Sequence, residues 1–281
     1  VSHAPASSFD SFALLGLSAM ASLATLPGEC INLLTEYITG EDVLQLVLCG
    51  SRTLSAKLFA NTTRLCCHPV VSGLLIWPRL LTQFHALHSF EFSAPKGEDE
   101  RVARGVKLNE LSSSLKTLKL RYLDPVSDIF AHKIDSEHTG LLTYHDGGFG
   151  AHFSNLTTLS IAATIFFQPE IFALFPSTLT SLALESYISF DAFPYFLDLP
   201  IGLKSLDIGN ILLPRTGTEI CFPPNLEVLN LGMTECPSSD WLCHVPRSVT
   251  DFTYRGWSLA PNLALQWKDL PRGLKSYKQF G

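Results

Sequence analysis

The chain has 281 residues, of which 47 are leucine, 46% are hydrophobic and only 16% are charged. Globular chains carry roughly 25% charged residues, so this composition, with a mean hydropathy of +0.22, excludes a disordered polyelectrolyte and supplies a large core. The net charge of −6 and a pI near 5.8 give no overall attraction to phosphate backbones or anionic lipid, so neither nucleic acid nor a membrane is an expected partner.

The first 24 residues read as an N-terminal tail, disordered or helical. The stretch Phe12 to Thr25 has the apolar, small-residue texture of a secretory leader. It lacks the positive flank such a leader needs, because no Lys or Arg precedes Arg52 and Asp10 sits just upstream. The first residue is Val1 rather than Met, which suggests a trimmed chain or a fragment. No run approaches the roughly 18 to 20 apolar residues needed to cross a bilayer as a helix.

From Leu26 to Leu54 the spacing predicts two or three short helices. Pro27 and Glu29 suit a helix start. Ile31, Leu34 and Ile38 recur at helical spacing, Gly40 ends the segment, and Asp42 opens a second apolar stretch with Val43, Leu44, Leu46 and Leu48. On residue spacing alone, such a pair is also what would cap the apolar end of a larger stack.

The seven cysteines (Cys30, Cys49, Cys66, Cys67, Cys221, Cys236 and Cys243) form an odd set without a CxxC pair. They read as buried reduced thiols rather than a disulfide framework, which places the chain in the cytoplasm or nucleus. Asn61-Thr62-Thr63 and Asn155-Leu156-Thr157 match the glycosylation tripeptide, a signal without meaning in those compartments.

The rest of the chain repeats. LKTLKL at 115, LTTLSI at 156, LTSLAL at 179, LKSLDI at 203, LEVLNL at 226, VTDFTY at 249 and LKSYKQ at 274 align, and LHSFEF at 87 is an earlier partial copy. Starts 23 to 25 residues apart dominate, with 41 between the copies at 115 and 156. The last five copies carry an apolar-Pro pair whose proline (Pro176, Pro200, Pro223, Pro246, Pro271) lies three residues before the motif. In a short strand the fourth and sixth residues of LxxLxL point one way and the residues between them the other. One copy cannot bury that face alone, so copies stack, their strands pairing in parallel around a continuous apolar column. Each proline, with fixed φ and no N–H, ends the outer crossing and delivers extended chain into the strand.

Residues near 124–152 form an insertion holding four of the nine histidines: His132, His138, His145 and His152. Their spacing fits no compact metal site, and the run from His145 to Gly150 reads as loop. GxSxG, HExxH, GxxxxGK[ST] and GxGxxG do not occur. Neither a metal nor a cofactor is expected, and the chain reads as a non-enzyme; a cysteine- or histidine-dependent enzyme centred on the insertion is the outlying alternative.

The repeats resemble leucine-rich repeats from about Leu87 to Gly281. They depart from that family where an Asn or Cys usually follows the second leucine pair: the matching positions are Leu123, Thr164, Tyr187, Ile211, Thr234 and Trp257, with Asn210 nearby. The asparagine ladder of the family is therefore absent. The preceding module, Leu26-Pro27-x-Glu29 with Leu34, Tyr37-Ile38, Asp42-Val43-Leu44, Leu46 and Arg52, resembles an F-box, although Cys49, Gly50 and Thr53 stand where that family tends to have Val-Cys-x-x-Trp.

The expected architecture is α/β: an all-α F-box-like module over 25–65 and a leucine-rich-repeat solenoid with a parallel sheet over 66–281. The F-box resemblance implies docking on a Skp1-like adaptor, and through it on a cullin, with Leu26, Pro27, Ile31, Leu34, Ile38, Val43 and Leu44 as the adaptor surface or its immediate support. The implied function is substrate recognition in an SCF-type ubiquitin ligase. The unknown protein target is then expected on strand residues facing away from the leucines: Lys119, Arg121, Ser160, Glu185, Asp207, Asn230, Asp251, Thr253 and Arg255. The alternative is a protein-binding scaffold or secreted recognition module without ligase linkage.

Overall fold

The computed structural model describes residues 23–37, 43, 46–47, 52–67, 81–93, 111–123, 148–163, 172, 174–188, 199–212, 221–235, 240–256 and 270–280. Ile38 and Leu44, the histidines at 132, 138 and 145, and most of the insertion lie outside them.

Among the described residues, nine strands form one sheet in sequence order with every pair parallel: β1 Arg64–Cys67, β2 Ser89–Ser93, β3 Thr117–Leu123, β4 Thr158–Ala163, β5 Ser181–Ile188, β6 Ser205–Leu212, β7 Val228–Glu235, β8 Asp251–Gly256 and β9 Ser276–Phe280. This is a solenoid of the leucine-rich-repeat type. The motif fixes its register: Phe90, Leu118, Leu159, Leu182, Leu206, Leu229, Phe252 and Tyr277 are successive partners. The first leucine of each copy and both strand positions are buried from Leu87 to Tyr254, and each such side chain contributes about 1.5 to 3 kcal/mol. The larger aromatics sit toward the ends of the column, Phe90 and Phe92 in β2, Phe252 and Tyr254 in β8.

Three sets of hydrogen bonds repeat with the strands. The N–H of the first motif residue donates to the carbonyl three residues earlier at 2.9–3.3 Å, from Leu87 on Phe84 to Leu274 on Pro271. In the last five copies that carbonyl belongs to the conserved-spacing proline, so the proline is the opening residue of a tight turn. Next, one carbonyl per repeat (Thr63, His88, Lys116, Thr157, Thr180, Lys204, Glu227 and Thr250) accepts two successive N–H groups from the following repeat at 2.7–3.1 Å.

The third set answers how the turns are satisfied without the asparagine ladder. The residue just before the motif is polar in most copies, and its side chain donates to a backbone carbonyl of the repeat before: Ser114 to Leu87 at 3.1 Å, Asn155 to Ser113 at 3.3 Å, Asn225 to Ile201 at 3.0 Å and Ser248 to Pro224 at 2.8 Å. Thr178 Oγ1 lies 2.8 Å from the Leu156 carbonyl and 3.0 Å from that of Ser154. The polar ladder has moved to the N-terminal end of the strands.

Among the described residues, the helices α1 Gly28–Tyr37 and α2 Arg52–Asn61 stand at the first edge of the sheet. α1 packs on α2 and on β1. Ile31, Leu54, Leu58 and Leu65 belong to the same buried cluster as the solenoid leucines, so module and solenoid share one core. Lys57 Nζ donates to the Leu26 carbonyl at 2.8 Å, tying α2 to the segment before α1.

One loop expectation is corrected. Gly148–His152 is a short helix, α3, not loop, because Phe149 and Phe153 bury against the column with ring centroids 5.0 Å apart. Gly150 is required there, since a Cβ would come within 2.7 Å of the Leu174 carbonyl.

Candidate protein-interaction surfaces

Two surfaces carry the residues singled out from sequence. The first is the helical module. Ile31 and Val43 are fully buried, Leu26 and Leu34 are half-buried, and Pro27 is exposed. Ile31 and Val43 therefore support the surface from beneath and do not form it. Pro27, Cys30 and Leu33 follow one another at three-residue spacing and are all exposed, Leu33 by 56%, while Ile31 and Thr35 fill the opposite side of α1. Leu33 escaped the sequence reading because Leu33 and Leu34 are adjacent and only the fold decides which one faces out.

The second surface is the face of the sheet opposite the leucine column. Strand alternation and register place Glu91, Lys119, Ser160, Ala183, Asp207, Asn230, Thr253 and Lys278 in one row across it. A parallel row holds Thr117, Thr158, Ser181, Ser205, Val228 and Asp251, and a third holds Arg121, Ala162 and Glu185. The topology thus brings the expected target residues to one face. Arg255 is on β8, its side chain outside the described residues. Ser160 keeps only 9% of its surface, so it is part of a recessed floor and not a projecting contact.

Polar contacts on this face are local. Glu91 lies 3.7 Å from both Lys119 Nζ and Arg121 Nε. The Asn230 amide donates to the Asp207 carboxylate at 2.8 Å, and Thr250 Oγ1 donates to Asp251 at 2.8 Å. On the other side of the sheet, at the end of the leucine column, Phe252 and Tyr277 pack with ring centroids 5.8 Å apart, and burial raises the Tyr277 phenol above its ordinary value of 10.0.

His152 Nε2 lies 2.9 Å from the Leu111 carbonyl, and its ring meets Phe153 edge-on at 4.7 Å, a bracing role between neighbouring repeats. Among the described residues, no group of three or more His, Cys, Asp or Glu side chains is arranged to hold a metal ion, and no helix is long and apolar enough to cross a membrane. Cys30 and Cys221 are free thiols, but Cys30 is exposed and Cys221 half-buried, so the expectation of buried thiols fails at these positions.

No family model matches the chain, and no curated protein matches it. Seven chains of solved structures match. One is CroV588, described as a novel circular leucine-rich-repeat protein, at 15% identity and a TM-score of 0.28, with 69% of this chain aligned to 34% of that one. The chain thus spans about a third of the length of that protein.

Proposed function

We propose that this chain is the target-recognition subunit of an SCF-type ubiquitin ligase, with the N-terminal helices docked on a Skp1-like adaptor and the solenoid presenting a protein target. The role rests on one observation above all. The first part of the F-box-like order of residues falls on α1 (Gly28–Tyr37), whose outer side leaves Cys30 and Leu33 uncovered, with Pro27 exposed just before it. The exposed Leu33 lies beside Cys30 and close to Pro27 on this side of the module, which gives an adaptor an apolar contact point. No catalytic group is needed in this chain, because holding a target beside a charged ubiquitin carrier raises the effective concentration of its lysines. The cullin is reached through the adaptor, and the role places the chain in the cytoplasm or nucleus.

Co-expression with the Skp1 adaptor tests the role. The expected result is a soluble one-to-one complex that Leu33→Asp disrupts while the circular dichroism spectrum is retained; a wild-type chain that fails to bind the adaptor overturns it. A second role is favoured by the shared core of Ile31, Leu54, Leu58 and Leu65: a protein-binding scaffold whose helices only cap the first edge of the stack. In that case Leu33→Asp leaves every interaction unchanged.

A further inference from the structure

The sheet face changes sign along the stack. On β1 to β3 its described charges are Arg64, Glu91, Lys119 and Arg121, and Glu91 offsets only part of the positive charge. On β4 and the start of β5 the same rows hold Ser160, Ala162 and Ala183. From β5 to β7 they hold Glu185 and Asp207, with no cation among the described side chains of those rows; β8 carries Asp251 together with Arg255, whose side chain is outside the described residues, and Lys278 follows on β9.

The middle of this gradient has almost no side chain. Ser160 and Ala162 are exposed by 9% and 7%. The charged side chains of β3 and β5 are therefore separated by a strand whose own side chains are small and do not project. Within the anionic part, Gly209 on β6 and Gly232 on β7 lack a Cβ, and their strands approach so closely that a Cβ on Gly232 would collide with the Gly209 carbonyl.

The charges vary from strand to strand, so a complementary ligand must vary in the same direction. Neighbouring strands lie about 4.8 Å apart, so Lys119 on β3 and Asp207 on β6 are separated by roughly 14 Å, the reach of about four extended residues. We propose that the face binds an extended segment of a target polypeptide running across the strands, with an acidic side chain over Lys119 and Arg121 and a basic side chain over Glu185 and Asp207, about four residues apart. This inference rests on the target-recognition role proposed above and names the chemistry of the target.

The test is fluorescence anisotropy with the full chain and labelled peptides. Each peptide carries one glutamate and one lysine in a serine-alanine background, separated by roughly two, four or eight residues. The peptide with about four should bind about tenfold tighter than the others, and its binding should weaken as salt is raised. Lys119→Ala with Arg121→Ala should cost about tenfold without moving the melting temperature. Lys119→Glu with Arg121→Glu should instead favour a peptide carrying two lysines. Equal binding at all spacings, or binding indifferent to both double variants, overturns the inference. Adaptor binding without peptide selectivity removes this inference alone, whereas selectivity without adaptor binding removes the ligase role and leaves the face intact.

Discussion

The side-chain amide of Asn230 on β7 donates to the carboxylate of Asp207 on β6 at 2.8 Å, two side chains directly paired by the parallel register. This bond orients the acid on which target binding is proposed to depend. Asn230→Asp would set two carboxylates opposite each other, and like charges in that position are destabilising by about 0.2 to 1 kcal/mol. Urea unfolding should place Asn230→Asp below Asn230→Ala; the reverse order would show that the pair is not formed in solution.

Gly232 is held by a steric demand of the same strands. A Cβ there meets the Gly209 backbone, and overpacking of this kind costs about 1 to 3 kcal/mol. Gly232→Ala should lower the urea midpoint accordingly. Gly202→Ala is the control, since the nearest atom to a Cβ at that position is the Ser177 carbonyl oxygen at 3.9 Å, and its stability should stay close to wild type.

The displaced polar ladder makes its own forecast. Thr178 Oγ1 has one proton for two carbonyls, those of Leu156 and Ser154. Thr178→Val keeps the shape, removes the donor and should cost about 1 kcal/mol in chemical denaturation. No measurable loss would mean that water serves these carbonyls equally well.

Tyr277 gives the last repeat a pH dependence. Burial raises its folded-state pKa above the ordinary 10.0, so the folded chain holds the phenolic proton more tightly than the unfolded one. That stability is fully present below pH 10.0 and is lost as pH rises through the raised value. A plot of melting temperature against pH should therefore fall less steeply above pH 10 for Tyr277→Phe than for the wild type. Parallel curves would place the phenol in water.

The strands from β2 onward were legible because burial of a repeating column requires leucine or a near equivalent at fixed spacing. β1 was not: its copy reads TTRLCC, with Thr62 buried where the others have leucine and Leu65 paired with Phe90. Aligning Leu65 beneath Phe90 would have found it at the usual interval. The same holds for α2, whose Leu54 and Leu58 lie four residues apart and are both buried. The helix at Gly148–His152 was hidden by its glycines, which mark a close backbone approach at Gly150 and not a loop. Which residues face out was readable on the sheet, where alternation decides it. It was not readable on α1, where the choice between Leu33 and Leu34 depends on how the helix is seated on β1.

Hydrogen-deuterium exchange of the full chain with and without the purified Skp1 adaptor tests the ligase role most directly. The account predicts new protection confined to peptides covering Leu26 to Leu46, with the strands carrying Glu185, Asp207 and Asp251 unchanged and left available to a target. Protection on those strands instead, or no protection anywhere, would contradict it.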